Sequence, residues 1–125
     1  MKFLCLGYFE RAKMDALPKA ELDALMQECS AQMEPFYAGG KVAMDAGLAT
    51  EGKYLRRAGG KLEVTDAPFE ATKLMVGSAF LIEAADMAEA VQIAALHPTV
   101  FVSKGEQFGW CLEIRPIHYF KGPLT

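Results

Sequence analysis

The opening segment Met1-Lys2-Phe3-Leu4-Cys5-Leu6-Gly7-Tyr8-Phe9 limits the fold more than any other stretch. Its alternate sets, Leu4/Leu6/Tyr8 and Phe3/Cys5/Phe9, are both apolar. Successive strand side chains point to opposite faces, so the pattern predicts a central strand over residues 2–9 in a sheet covered on both sides. Charge returns at Glu10-Arg11 without a small-residue cleavage site, which argues against a signal peptide.

From Pro18 onward, Leu22, Leu25, Met26, Cys29, Met33 and Phe36 recur at three- and four-residue steps, the stripe of a helix reaching about residue 38. Pro18 suits a first turn, Pro35 strains the last one, and Gly39-Gly40 stop it. A second strand is predicted over residues 41–49. A hairpin over 54–57 and 61–65 turns at Gly59-Gly60, where missing Cβ atoms permit positive φ. An apolar strand follows over 78–83. Asp86 with Glu89 makes a capping-box-like start to a helix running to about Leu96, which Pro98 ends. Residues 99–109 read as a loop and 110–117 as a last strand, with a short tail from about residue 118.

This order predicts a single α+β domain over residues 1–125, a ferredoxin-like βαββαβ unit with an extra hairpin. Its two expected helices cover one sheet face. The other face needs a cover, and an identical sheet from a second copy provides one, giving a homodimer of the dimeric α/β-barrel kind.

A net charge of −3 and 52% hydrophobic residues supply no basic surface for nucleic acid or an anionic membrane. No apolar run nears the roughly 18 residues needed to span a bilayer. Cys5, Cys29 and Cys111 are odd in number and unpatterned, which fits reduced thiols in the cytoplasm rather than a disulfide framework. With His97 and His118 they show no metal-ligand spacing, so neither metal nor cofactor is expected.

The segment Asp66-Ala67-Pro68-Phe69-Glu70-Ala71-Thr72-Lys73 resembles the Asp-Gly-Pro-Phe motif of the YCII-related (DGPF-domain) family. The likeness extends through Gly77, Phe80-Leu81-Ile82-Glu83, Asp86, Glu89-Ala90, His97-Pro98 and Glu113-Ile114-Arg115-Pro116-Ile117. It implies a ferredoxin-like dimeric barrel in an uncharacterised family with occasional links to sigma factors. Ala67 stands where the motif has Gly, Glu70-Ala71 invert its order, Leu74 replaces an acid and Ser78 a glycine. Many relatives carry a second-strand histidine proposed to pair with an aspartate. Here residues 42–49 contain no histidine, and Ala46 stands near the expected place, which implies that any such chemistry is lost or relocated.

Asp66 reads as a general base at a cavity mouth or as a turn carboxylate accepting backbone N–H bonds. Lys73 reads as a group that binds an anionic substrate, as a partner of Asp66, or as a solvated loop cation. His97 reads as an acid/base group or as a helix-end residue bonded to terminal carbonyls. Glu113 and Arg115, two apart and so on one strand face, could pair, line a polar cavity or meet a partner chain. Pro68 and Phe69 read as structural, with Phe69 a buried anchor.

Three functions follow from these readings. One is a small-molecule enzyme using Asp66 and His97 for proton transfer, with Lys73 or Arg115 orienting an anion. Another is a non-catalytic ligand-binding or regulatory dimer, conceivably linked to sigma factors, and the third a purely structural dimer. An Asp66 exposed on the convex surface, with its carboxylate merely capping its own turn, would turn the reading from acid/base chemistry to the non-catalytic module.

Overall fold

A computed structural model describes residues 1–67 and 73–123 of the chain. The motif residues 68–72, including Pro68 and Phe69, lie outside the described residues. Strand β1 (Lys2–Glu10) leads into a short helix α1 (Arg11–Asp15) and the long helix α2 (Lys19–Tyr37). Next come β2 (Val42–Gly47), the hairpin β3 (Gly52–Ala58) and β4 (Lys61–Ala67), and β5 (Leu74–Glu83). Helices α3 (Met87–Ala94) and α4 (Pro98–Phe101), a 3-10 helix (Ser103–Phe108) and β6 (Cys111–Pro116) complete the order.

The main sheet has four strands in the order β2-β5-β1-β6, every neighbouring pair antiparallel. With the hairpin set aside, this mixed α+β arrangement is compatible with a ferredoxin-like fold. The expected central strand is indeed central, paired through Cys5↔Phe80 on one side and Cys5↔Ile114 on the other.

Helices gather on one face of that sheet. Phe3, Cys5, Phe80 and Ile82 from the strands are fully buried with Phe36 of α2 and Ala90 and Ala94 of α3. Burial of such side chains contributes about 1.5–3 kcal/mol each relative to exposure. It also pushes the Cys5 thiol up to about 11, leaving it an inert apolar group. Asp86 caps α3 by accepting from the Glu89 N–H at 2.9 Å, while the Glu89 carboxylate accepts from the Ala85 N–H at 3.2 Å, the reciprocal cap expected from the sequence. By register the opposite face carries Leu4, Leu6 and Tyr8 of β1 beside Leu81 and Ala79 of β5 and Arg115 and Glu113 of β6.

The hairpin forms a separate two-stranded sheet. Gly59 and Gly60 take φ of 58° and 78° at its turn, a conformation that side chains with a Cβ resist. Its apolar residues stay wet: Leu55, Leu62 and Val64 are 62%, 57% and 58% exposed.

Two expectations change. Residues 99–109, expected as a loop, instead carry most of α4 and the 3-10 helix, which seat Val102 and Phe108 against Leu25 of α2. The final helix before them is also shorter than expected, ending at Ala94 rather than Leu96.

Candidate functional site

A cavity of about 510 Å³ opens between the helix-bearing face of the sheet and α2. Leu22, Met26, Cys29 and Met33 of the α2 stripe line it. The sequence marked them only as a helix stripe, and Met26 among them is 43% exposed. Gly77 helps shape the sheet side. It sits where the β1–β5 register shifts between Gly7 and Tyr8, and a Cβ there would lie 2.9 Å from the Phe9 ring. A bulge with close side-chain approach therefore selects glycine.

The polar end of the cavity is built by β2 and the residue before α4. Asp45 lies opposite Phe80 in the β2–β5 register, hence on the helix-bearing face. His97 is 5% exposed, its ring stacked on Phe80 at 4.5 Å and edge-on to Phe36 at 5.0 Å. Gln32 of α2 donates to the Leu96 carbonyl at 2.9 Å and so ties the preceding backbone to the long helix.

The histidine tautomer follows from its partner. The Thr99 backbone N–H donates to His97 Nδ1 at 3.2 Å; a backbone N–H has nothing to accept with, so Nδ1 is unprotonated and Nε2 carries the hydrogen. Nε2 stands 3.9 Å from Asp45 Oδ1. The Tyr37 hydroxyl donates to the other oxygen, Oδ2. Burial lowers the His97 pKa, partly opposed by Asp45. The hydrogen bond to Asp45 is the main reason the Tyr37 phenol is pushed up to about 12, which keeps it a donor at neutral pH. Cys29, also raised by burial, is not an activated nucleophile.

Of the residues singled out from the sequence, His97 lies in the cavity and the others lie elsewhere. Its side chain does not meet carbonyls of the preceding helix but caps α4. Asp66 is on the hairpin, its side chain 82% exposed and paired with Lys53; a two-stranded arm away from the main sheet gives it no cavity to share with His97. Lys73 pairs with Glu10 at 3.1 Å, and Glu10 also holds Lys13 at 2.9 Å. These cations, Lys13 first, hold the Glu10 carboxyl below its usual range. Glu113 accepts from the Tyr8 hydroxyl at 2.8 Å, and by register both Glu113 and Arg115 stand on the sheet face opposite the helices. Asp45 and Tyr37 were missed. The available signal was a lone carboxylate between Met44 and Ala46 in the predicted second strand.

Among the described residues, no group of three His, Cys, Asp or Glu side chains is arranged to hold a metal ion. No helix among them is long and apolar enough to cross a membrane.

A buried imidazole facing a carboxylate in a small antiparallel α+β domain defines a class of possible proton-transfer sites rather than a reaction. The chain belongs to the YCII-related domain family, whose model matches residues 1–108. It is also similar to an uncharacterized protein of Rhizobium meliloti (strain 1021), 28% identical over 123 residues that cover 97% of this chain and 95% of that protein.

Proposed function

We propose that this YCII-related protein binds a small molecule in the cavity beneath α2 and transfers protons there through His97 and Asp45. The observation that supports this reading most is the 3.9 Å spacing of Nε2 and Oδ1. That is too long for a direct hydrogen bond, yet it leaves room for a carbonyl substrate whose oxygen meets Nε2 at about 2.8 Å while its adjacent C–H meets Oδ1. Asp45 would accept a proton from the substrate while the His97 Nε2–H donates to a developing oxyanion. Tyr37 orients Asp45, and the Thr99 N–H fixes the imidazole. The pair restores, with the histidine relocated to the end of the α3 region, the histidine–aspartate chemistry proposed for relatives.

The test is deuterium uptake from D2O at the exchange-prone C–H of a panel of small carbonyl compounds, followed by proton NMR. His97→Gln and Asp45→Asn are expected to slow uptake by about 10²–10⁴-fold. Wild-type uptake no faster than buffer across the panel would favour the second reading, a non-catalytic ligand-binding or regulatory module. That reading is supported by Asp66, the carboxylate of the family motif, which is exposed and paired with Lys53.

The assembly belongs to the same proposal. Leu4, Leu6 and Tyr8 on the face opposite the helices are only partly buried by their own chain. A second copy placed face to face covers them and yields a ferredoxin-like dimeric α/β barrel. Sedimentation at micromolar concentration should give a dimer; a stable monomer would refute the assembly.

A further inference from the structure

We infer that the cavity selects an uncharged, largely apolar molecule bearing a single hydroxyl, and discriminates against carboxylates. This rests on the reading of the cavity as a ligand site and names the ligand class. Three observations carry it. The α2 wall is Leu22, Met26, Cys29 and Met33, and Trp110 also lines the space, a surface that rewards an apolar body. Among the described residues that line it, the charged side chains are Asp15 and Asp45, with no lysine or arginine. Of the basic residues close in sequence to that lining, Lys13 and Lys73 pair outside it with Glu10, and Arg11 is already neutralised by Asp15 at its edge. A carboxylate entering this space would shed water without gaining a cation and would face like charge.

The polar end then specifies the functional group. Asp45 Oδ1 offers an acceptor and His97 Nε2–H a donor, 3.9 Å apart. A hydroxyl satisfies both at once, donating to Asp45 and accepting from His97. An ammonium group can satisfy only Asp45, and a carboxylate only His97.

The chain has one tryptophan, and it lines the cavity, so ligand entry can be followed by its fluorescence. The probes are para-tert-butyl benzyl alcohol, the matching benzylamine and the matching benzoate. The alcohol should bind tightest and the benzoate weaker by about tenfold or more, because the site's polar groups are left mismatched. Met26→Arg, at a position 43% exposed on the opening, adds the missing cation without disturbing the core. It should narrow or reverse the preference for alcohol over benzoate, and Asp45→Asn should narrow it too. Benzoate binding as tightly as the alcohol, a ratio unmoved by both variants, or no binding of any probe would each overturn the inference. The outcome separates from catalysis: the predicted ranking without deuterium uptake leaves the ligand class standing and removes the proton-transfer reading. Uptake with benzoate preferred does the reverse.

Discussion

The cavity and the β3–β4 hairpin each pair a carboxylate with a basic side chain, in opposite surroundings. Asp45 and His97 have side chains 14% and 7% exposed, whereas Asp66 and Lys53 are 82% and 64% exposed. In the cavity, low dielectric makes charge costly, so the imidazole is held neutral and its geometry is fixed by aromatic rings and a backbone N–H. On the hairpin, water and salt screen the same kind of pair. The sequence motif drew attention to Asp66 on the hairpin, whereas burial sets the cavity pair apart.

The comparison breaks most visibly through packing. Phe80 is fully buried and carries the His97 ring on its face. Phe80→Ala should destabilise the fold by about 3–5 kcal/mol, and His97 NMR signals should shift with it. Leu55→Ala on the hairpin, by contrast, should stay within about 0.5 kcal/mol. Equal losses in urea titration would show that the hairpin is supported by packing as the cavity is.

A smaller effect is expected from the tether that places His97. Gln32→Ala removes the side-chain bond to the Leu96 carbonyl and should cost about 1–3 kcal/mol if the carbonyl stays dry. Hydrogen exchange at the Thr99 amide should rise along with the loss, since that N–H is held by the ring His97 presents. Unchanged Thr99 protection would mean that α4 holds His97 without α2.

The next effect is a slope rather than a step. Burial sets the folded His97 pKa below its ordinary value of 6.5. Between that lowered value and 6.5 the unfolded chain binds more protons than the folded one. Stability therefore rises with pH through this window and declines as pH falls below 6.5. Urea titrations on either side of 6.5 should show this component in the wild type and not in His97→Gln. An identical pH dependence in both would mean that His97 titrates as freely when folded as when unfolded.

Much of the fold was legible because local chemistry and tertiary demand agree there. The two-faced apolar run at residues 2–9 became the paired strand β1, and Asp86 with Glu89 made their cap. The α2 stripe was legible as a stripe but not as a cavity wall: periodicity tells which side of a helix turns inward, not whether the space it meets is filled. The helical character of residues 99–109 was missed because Gly105 and Gly109 read as loop residues. Gly105 in fact lets Trp110 approach, a Cβ there lying 2.5 Å from the indole, and Gly109 closes the 3-10 helix at φ 68°. Asp45 and His97 sit on distant parts of the chain, and only the β2–β5 pairing and the Gln32 tether bring them together. Residue type and spacing carry no record of such a meeting.

The smallest expected effect tests the motif carboxylate itself. Asp66 meets Lys53 directly across the hairpin, and cross-strand ion pairs in water contribute about 0.2–1 kcal/mol at most. Asp66→Asn keeps the shape and a hydrogen-bond acceptor while removing the charge, so stability should change by less than about 0.5 kcal/mol. The loss should shrink further as salt is added, because screening already weakens the wild-type pair. Alcohol-probe affinity and the His97 pH component should be unaltered, since neither the probe site nor the imidazole touches the hairpin in one chain. A marked loss of probe binding in Asp66→Asn, without loss of stability, would mean that the hairpin of a second copy reaches the cavity. Asp66 would then regain a role at the site, and the contrast between the exposed and the buried pair would hold only for the isolated chain.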